Sequence, residues 1–261
     1  MARKILLLAL CAGGCAGRFD LHHGVCPRPA TSADAESVQQ DVGVLPIDVP
    51  AGEEGLRALI SVDDPWQETN RSIYAFNWAF DEYIFLPVVD TYIDVVPEVL
   101  RDRVHDFFSN IGELFTFANL LLQARLGPAG ETAFRFGVNT GLGFFGFVDV
   151  ASDGGMPKYQ EDFGQTLGCW GVGTGPYMVL PVLGPSNARD TSAALVDRAA
   201  YWIVDPLRFF PIEDSDIAFT SGEVVDTRAN IDFRYHETGS PFEYEYVRLL
   251  YTTKRLADLR R

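Results

Sequence analysis

Histidine is scarce in this chain, and basic side chains are outnumbered. Its 261 residues include 4 His, and 21 Lys and Arg stand against 36 Asp and Glu, for a formal net charge of -15 at pH 7. No basic stripe is present to neutralise phosphates, so nucleic acid is excluded as a partner. The same balance excludes docking on anionic headgroups through Lys/Arg clusters. Contact with lipid would have to run through apolar surface or a covalent anchor. The 4 cysteines, at positions 11, 15, 26 and 169, form no Cys-x-x-Cys pair, which removes zinc-ribbon and thioredoxin-like sites. A lipid-facing hydrolase would need a nucleophile with a base in reach. No Gly-x-Ser-x-Gly elbow occurs, and His22, His23, His105 and His236 are dispersed. His236-Glu237 lacks the second histidine of a zinc-protease helix. Nor does any apolar run reach the roughly 20 residues of a spanning helix.

What the chain does have is apolar and aromatic mass. Hydrophobic residues make up 47%, with 19 Phe and 10 Tyr. Such a load suits a large core or a surface that meets lipid. The N-terminus reads as a lipoprotein signal over residues 1–14. Met1-Ala2-Arg3-Lys4 is a short basic segment, and Ile5 to Leu10 is an apolar stretch ending in small residues. Ala12-Gly13-Gly14-Cys15 then has the form of a lipobox, which makes Cys15 the acylation site. Leu10 is too bulky for the cleavage position before Cys11. Acyl chains contribute about 0.8 kcal/mol per buried methylene, so a multiply acylated terminus anchors stably. Ala16 follows the cysteine, with no Asp to signal inner-membrane retention, which points to the outer membrane. Cys26 and Cys169 can pair in an oxidising compartment or remain two separate thiols.

Residues 15–60 read as an acylated N-terminus and flexible tether, too polar to offset its ordering entropy. Residues 61–257 read as one helical domain. Asp64 offers an N-cap, Pro65 a first helical position and Gln67 a capping-box partner. Ile73, Phe76 and Phe80 then recur at helical spacing, on a core helix or one lying at a membrane interface. Pro87 and Pro97 bracket a short segment, and a helix starting near Pro97 is expected to end at Asn110-Ile111-Gly112. Gly127-Pro128 is a break, after which Ala133, Phe134 and Val138 mark the next helix. Pro181 disfavours a central strand for the strand-like Tyr177 to Leu183. A helix from Thr191, capped near Asp190, runs to about Val204. The last segment pairs an apolar stripe at Tyr244, Val247, Leu250 and Tyr251 with a wet face at Arg248, Lys254 and Arg255. The fold class is all-α.

The stretch from Arg135 to Ala151 is strongly apolar yet carries Gly137, Gly141, Gly143 and Gly146. Each costs up to about 1 kcal/mol in a helix, and each permits close backbone approach or a sharp bend. One reading is a buried helix followed by a turn. The other is a bend within an apolar setting.

Four blocks of sequence decide between these readings. The first is Asp64-Pro65 with Asn70-Arg71, Phe76-Asn77 and Asp81. The second joins Arg135-Phe136, Asn139-Thr140 and the run from Gly143 to Ala151. The third comprises Asp162 to Gly168, then Trp170 to Gly173 and Gly175-Pro176-Tyr177. The fourth is Leu180-Pro181, Gly184-Pro185-Ser186 and Arg189-Asp190. Together they resemble the MlaA (VacJ) family of outer-membrane phospholipid-transport lipoproteins. The resemblance runs from about Asp63 to Leu256 and is carried mainly before Asp190.

It implies a single ring-like domain of short amphipathic and apolar helices with Gly/Pro-rich connections, lipid-anchored and embedded in the periplasmic leaflet of the outer membrane. It further implies that mislocalised phospholipid leaves the outer leaflet through a central passage, which maintains lipid asymmetry. The implied partners are a porin trimer, a soluble periplasmic lipid carrier and, through it, an inner-membrane ABC transporter. Neither catalytic residues nor cofactor are implied. Asn139, Thr140, Asp149, Arg189 and Asp190 are candidates for a polar lining, although each can instead satisfy a neighbour. Gly141, Leu142 and Gly143 are candidates for a hinge, or a packing turn. The rival classes are a porin-binding scaffold that moves no lipid and a lipid-acting hydrolase.

Overall fold

A computed structural model describes residues 62–204, 215–237, 239 and 241–259. The signal segment, Cys15, Cys26 and the tether lie outside the described residues. Among the described residues, the regular structure is helical apart from one hairpin. Helix α1 (Gln67–Phe80) passes through a π-helical turn (Asp81–Phe85) into α2 (Leu86–Val95). Pro87, near the start of α2, has no N–H to give back along the helix, and a widened turn is one way a helix absorbs that loss. Then come α3 (Glu98–Leu122), α4 (Leu126–Gly141), α5 (Val150–Asp153), α6 (Phe163–Cys169), β1 (Tyr177–Leu180), β2 (Gly184–Asn187), α7 (Ala188–Val204), α8 (Ser215–Ala229) and α9 (Glu243–Asp258). Among the described residues, no helix is long and apolar enough to cross a membrane.

Several expectations are corrected. Asp64 caps nothing: α1 begins at Gln67 with Trp66 at its N-cap and no side-chain cap. The Asp64 carboxylate instead accepts from Asn70 (2.7 Å), Tyr244 (2.6 Å) and Arg248 (3.0 Å). A buried cation holds a carboxylate more strongly than a cap position does. Helix α3 does not stop at Gly112 but runs 25 residues to Leu122. The cost of one helical glycine is small beside the packing of α3 against α4 and the burial of Phe107, Ile111 and Leu120 along α3.

The strand-like stretch pairs antiparallel with Gly184–Asn187, and Pro181 falls in the turn between them. Two residues of α1, two turns apart, complete the free edge of β1. Asn70 accepts from the Val179 N–H (2.9 Å) and donates to the Tyr177 carbonyl (3.3 Å). Asn77 accepts from Val182 (2.7 Å) and donates to Leu180 (2.9 Å). Helix α7 begins at Ala188, three residues before Thr191, and Asn187 rather than Asp190 supplies the capping oxygen, 2.8 Å from the Asp190 N–H.

The larger surprise is which faces are buried. Ala133 and Phe134, which mark α4 in the sequence, are exposed, and its buried face holds Thr132, Arg135 and Asn139. Along α1 and into the π-helical turn the buried stripe is Asn70, Tyr74, Asn77 and Asp81, while Phe76 is exposed. In α9 the arginines expected to stay wet, Arg248 and Arg255, are buried, and Leu250 is half exposed. Among the described residues, buried polar and charged side chains outnumber buried apolar ones, and large apolar side chains stand exposed on every helix from α1 to α4 and on α7 and α9.

Candidate functional site

Arginine–carboxylate pairs hold the polar interior, those of Arg135 and Arg255 among them. Arg135 of α4 has no exposed surface. It donates to Glu113 (2.9 Å), to both carboxylate oxygens of Asp149 (3.0 Å each), to Ser152 (3.1 Å) and to the Met156 carbonyl (2.9 Å). Asn139 bridges the same cluster, donating to Asp149 (2.9 Å) and accepting from the Ala151 N–H (2.9 Å). Burial alone would raise the Asp149 pKa. Hydrogen bonds from Ser152 and Asn139, with the Arg135 charge, bring it down to about 2. For Glu113 burial wins over Arg135 and the pKa is raised.

Arg255 of α9 donates to Asp162 (2.6 and 2.9 Å) and Asp190 (2.7 Å). Asp190 also accepts from Arg189 (2.8 Å), Tyr251 (2.8 Å) and Asn187 (2.7 Å). Against the cost of burial, Arg255 and Arg189 hold the Asp190 pKa down to about 2. Arg228 forks onto Asp81 at 2.9 Å through two nitrogens, tying α8 to the π-helical turn. Bidentate geometry of this kind is what arginine supplies and lysine does not.

Helix α9 forms a wall of three cavities. One of about 480 Å³ lies between α3, α6, α7, α8 and α9, with Asp190, Asp197, Glu223 and Tyr251 on its walls. A second, of about 340 Å³, is apolar over Phe80, Phe85, Val182, Leu183 and Phe233, with the Asp81–Arg228 pair at one side. The largest, about 810 Å³, is polar and lies between Thr116 of α3, residues 158–162, Gln165 of α6 and the C-terminal half of α9. Chemically the set offers polar walls, one apolar chamber and no assembled nucleophile–base pair. Among the described residues no group of three or more His, Cys, Asp or Glu is placed to hold a metal ion.

Of the residues singled out in the sequence, Asp190 lies on the wall of the 480 Å³ cavity. Arg189 is buried and paired with it. Asn139 and Asp149 are knit into the Arg135 cluster, and Thr140 is half-buried and accepts from Asn110 (3.1 Å). Gly141 ends α4, and Leu142, 78% exposed, follows it. Gly143 is buried, and a Cβ there would lie 2.1 Å from the Val148 carbonyl oxygen and 2.4 Å from that of Asn139. Phe144 and Phe145 come next with φ of 52° and 62°, exposed and left-handed. Aromatic residues adopt that region at a cost of about 1–2 kcal/mol each. Every turn of this loop is closed by its own backbone, as in Phe145 N–H to Thr140 O (3.0 Å) and Val148 N–H to Gly143 O (3.0 Å). Cys169, buried at the end of α6, is disulfide-bonded.

Sequence reasoning missed Arg135, Gln165, Tyr251 and Arg255 as site residues. A signal for the last two existed. Tyr244, Arg248, Tyr251 and Arg255 fall at i, i+4, i+7 and i+11, one face of a helix.

A family model described as MlaA lipoprotein matches residues 62–258. An uncharacterized protein of Rickettsia felis is 33% identical over 75% of both chains. The intermembrane phospholipid transport system lipoprotein MlaA of Escherichia coli K12 is 39% identical over 51% of this chain and 55% of its own. A chain solved in work on the structural basis for maintenance of bacterial outer membrane lipid asymmetry superposes with a TM-score of 0.63 at 29% identity, covering 75% of this chain and 98% of that one.

Proposed function

The chain belongs to the MlaA lipoprotein family, and from that membership we propose that it takes mislocalised phospholipid out of the outer leaflet of the outer membrane. Its general role is in intermembrane phospholipid transport, as an outer-membrane-associated lipoprotein. In the finer reading, Cys15 carries the acyl anchor, residues 15–60 tether it, and the helical domain sits in the periplasmic leaflet beside a porin trimer. Lipid passes to a soluble periplasmic carrier and on to an inner-membrane ABC transporter.

The observation that carries this reading is the inverted packing. In water, large apolar side chains are driven inward at roughly 25 cal/mol per Å², and extensive exposed apolar surface marks an interaction site. Here Leu142, Phe144, Leu195 and Trp202 face outward, and Arg135, Arg255 and Asn139 face inward. That arrangement suits a body whose surroundings are acyl chains and whose interior serves headgroups. Internally closed backbone turns in the loop after Gly141 fit the same setting, since lipid offers no hydrogen bonds. Asn139, Thr140, Asp149, Arg189 and Asp190 belong to the polar interior of this reading, and Gly141, Leu142 and Gly143 to its flexible joint. The relatives bearing a functional name are transport lipoproteins, which supports a non-enzymatic role.

In a clean deletion strain, phospholipid exposed on the cell surface is expected to rise several-fold. The wild-type chain should restore the normal level and Cys15→Ser should not. Unchanged surface phospholipid in the deletion would reject the transport role and leave the scaffold alternative standing.

A further inference from the structure

One polar side chain lining the 810 Å³ cavity carries an oxygen with no hydrogen-bond partner. Gln165 on α6 is 6% exposed, and its side-chain oxygen is buried without a hydrogen bond. A buried unmet acceptor is costly, and native structures keep few of them. Gln165 lines the 810 Å³ cavity.

The other groups on that wall define what could meet it. Arg125 and Arg255 are committed to carboxylates, Arg125 to Glu161 at 2.6 Å and Arg255 to Asp162 and Asp190. The Lys254 ammonium makes no ion pair among the described residues, and Lys158 only a long one, 3.8 Å from an Asp149 oxygen that Arg135 already holds. The cavity therefore presents the ammonium groups of Lys158 and Lys254 for an anion, beside the carboxylates of Glu161, Asp162 and Asp258, together with the Gln165 amide oxygen that lacks an N–H or O–H. A phosphodiester carrying a donor-bearing arm satisfies both.

We propose that this cavity reads the headgroup of a phospholipid in transit, Gln165 accepting from the ethanolamine ammonium or the glycerol hydroxyl while Lys158 and Lys254 face the phosphate. The proposal rests on the transport reading and adds a specificity to it. A choline headgroup, whose quaternary nitrogen has no N–H, leaves the acceptor unmet. Sites built to accept a hydrogen bond discriminate against analogues that lack the donor, here by about ten-fold for one bond.

The test uses the full chain purified in detergent and offered equal amounts of dioleoyl phosphatidylethanolamine, phosphatidylglycerol and phosphatidylcholine, with retained lipid measured by mass spectrometry. The wild type is expected to retain the first two roughly ten-fold over the third. Gln165→Leu should bring that ratio near one without lowering retained choline lipid, and Gln165→Glu, which keeps an acceptor, should preserve the ethanolamine preference. Equal retention of all three lipids by the wild type would overturn the headgroup assignment and leave the transport reading intact. Retention of none would overturn both. Loss of bound lipid to an equal concentration of soluble glycerophosphoethanolamine would make the ligand a free phosphodiester and overturn the lipid assignment.

Discussion

Replacing Arg135 by Met is expected to strip the folded protein from the membrane fraction. The guanidinium is the centre of a cluster that joins α3 through Glu113, α4 through its own backbone and the start of α5 through Asp149 and Ser152. Removing it leaves two carboxylates without their cation, one of them almost wholly buried. Breaking a buried ion pair from one side costs about 3–5 kcal/mol, because the orphaned charge must be desolvated alone. At about 2–4 °C per kcal/mol for a domain of this size, thermal unfolding of the detergent-purified protein should fall by roughly 10 °C. Neutralising the partners as well, with Glu113→Gln and Asp149→Asn beside Arg135→Met, should recover part of the loss. A single variant that melts with the wild type would mean that the cluster does not hold the domain together.

Gly143→Ala is expected to have an effect of similar size, and Gly141→Ala almost none on folding. The two glycines stand at one bend and look equivalent in the sequence. At Gly143 a new Cβ meets two backbone carbonyl oxygens at 2.1 and 2.4 Å, neither of which can move without opening the loop hydrogen bonds to Asn139 and Val148. At Gly141 it meets nothing within 4 Å, and a helical Gly→Ala change there stabilises by about 0.4–1 kcal/mol. Cellular abundance should therefore collapse for Gly143→Ala and hold for Gly141→Ala. Because Gly141→Ala stiffens the joint at unchanged fold, surface phospholipid in that strain reports on the hinge. A rise with normal abundance supports flexing at Gly141, and wild-type levels assign it to packing.

The helical fold was legible because periodicity survives inversion. Asn70, Tyr74 and Asn77 share one face of α1 as surely as Phe76 and Phe80 share another. What periodicity cannot say is which face is buried and which is exposed. The rule for water gives α9 an apolar stripe facing inward and places Arg248 and Arg255 outside. The lipobox-like Ala12-Gly13-Gly14-Cys15 already points to a lipid setting. Asp64 shows a second limit: its local sequence fits a cap, but a partner 184 positions away takes it. Gln165 shows a third, since an unpartnered amide has no signature in one dimension. Asp190, by contrast, could be singled out from its motif alone.

The claim that lipid travels through the polar interior can be tested in living cells with a photo-crosslinking residue at Thr253, on the wall of the 810 Å³ cavity. Leu195, 72% exposed on α7, serves as the outward-facing control. The account predicts a covalent phospholipid adduct at both positions. An adduct at position 195 with none at 253 would place the lipid outside the protein and contradict it.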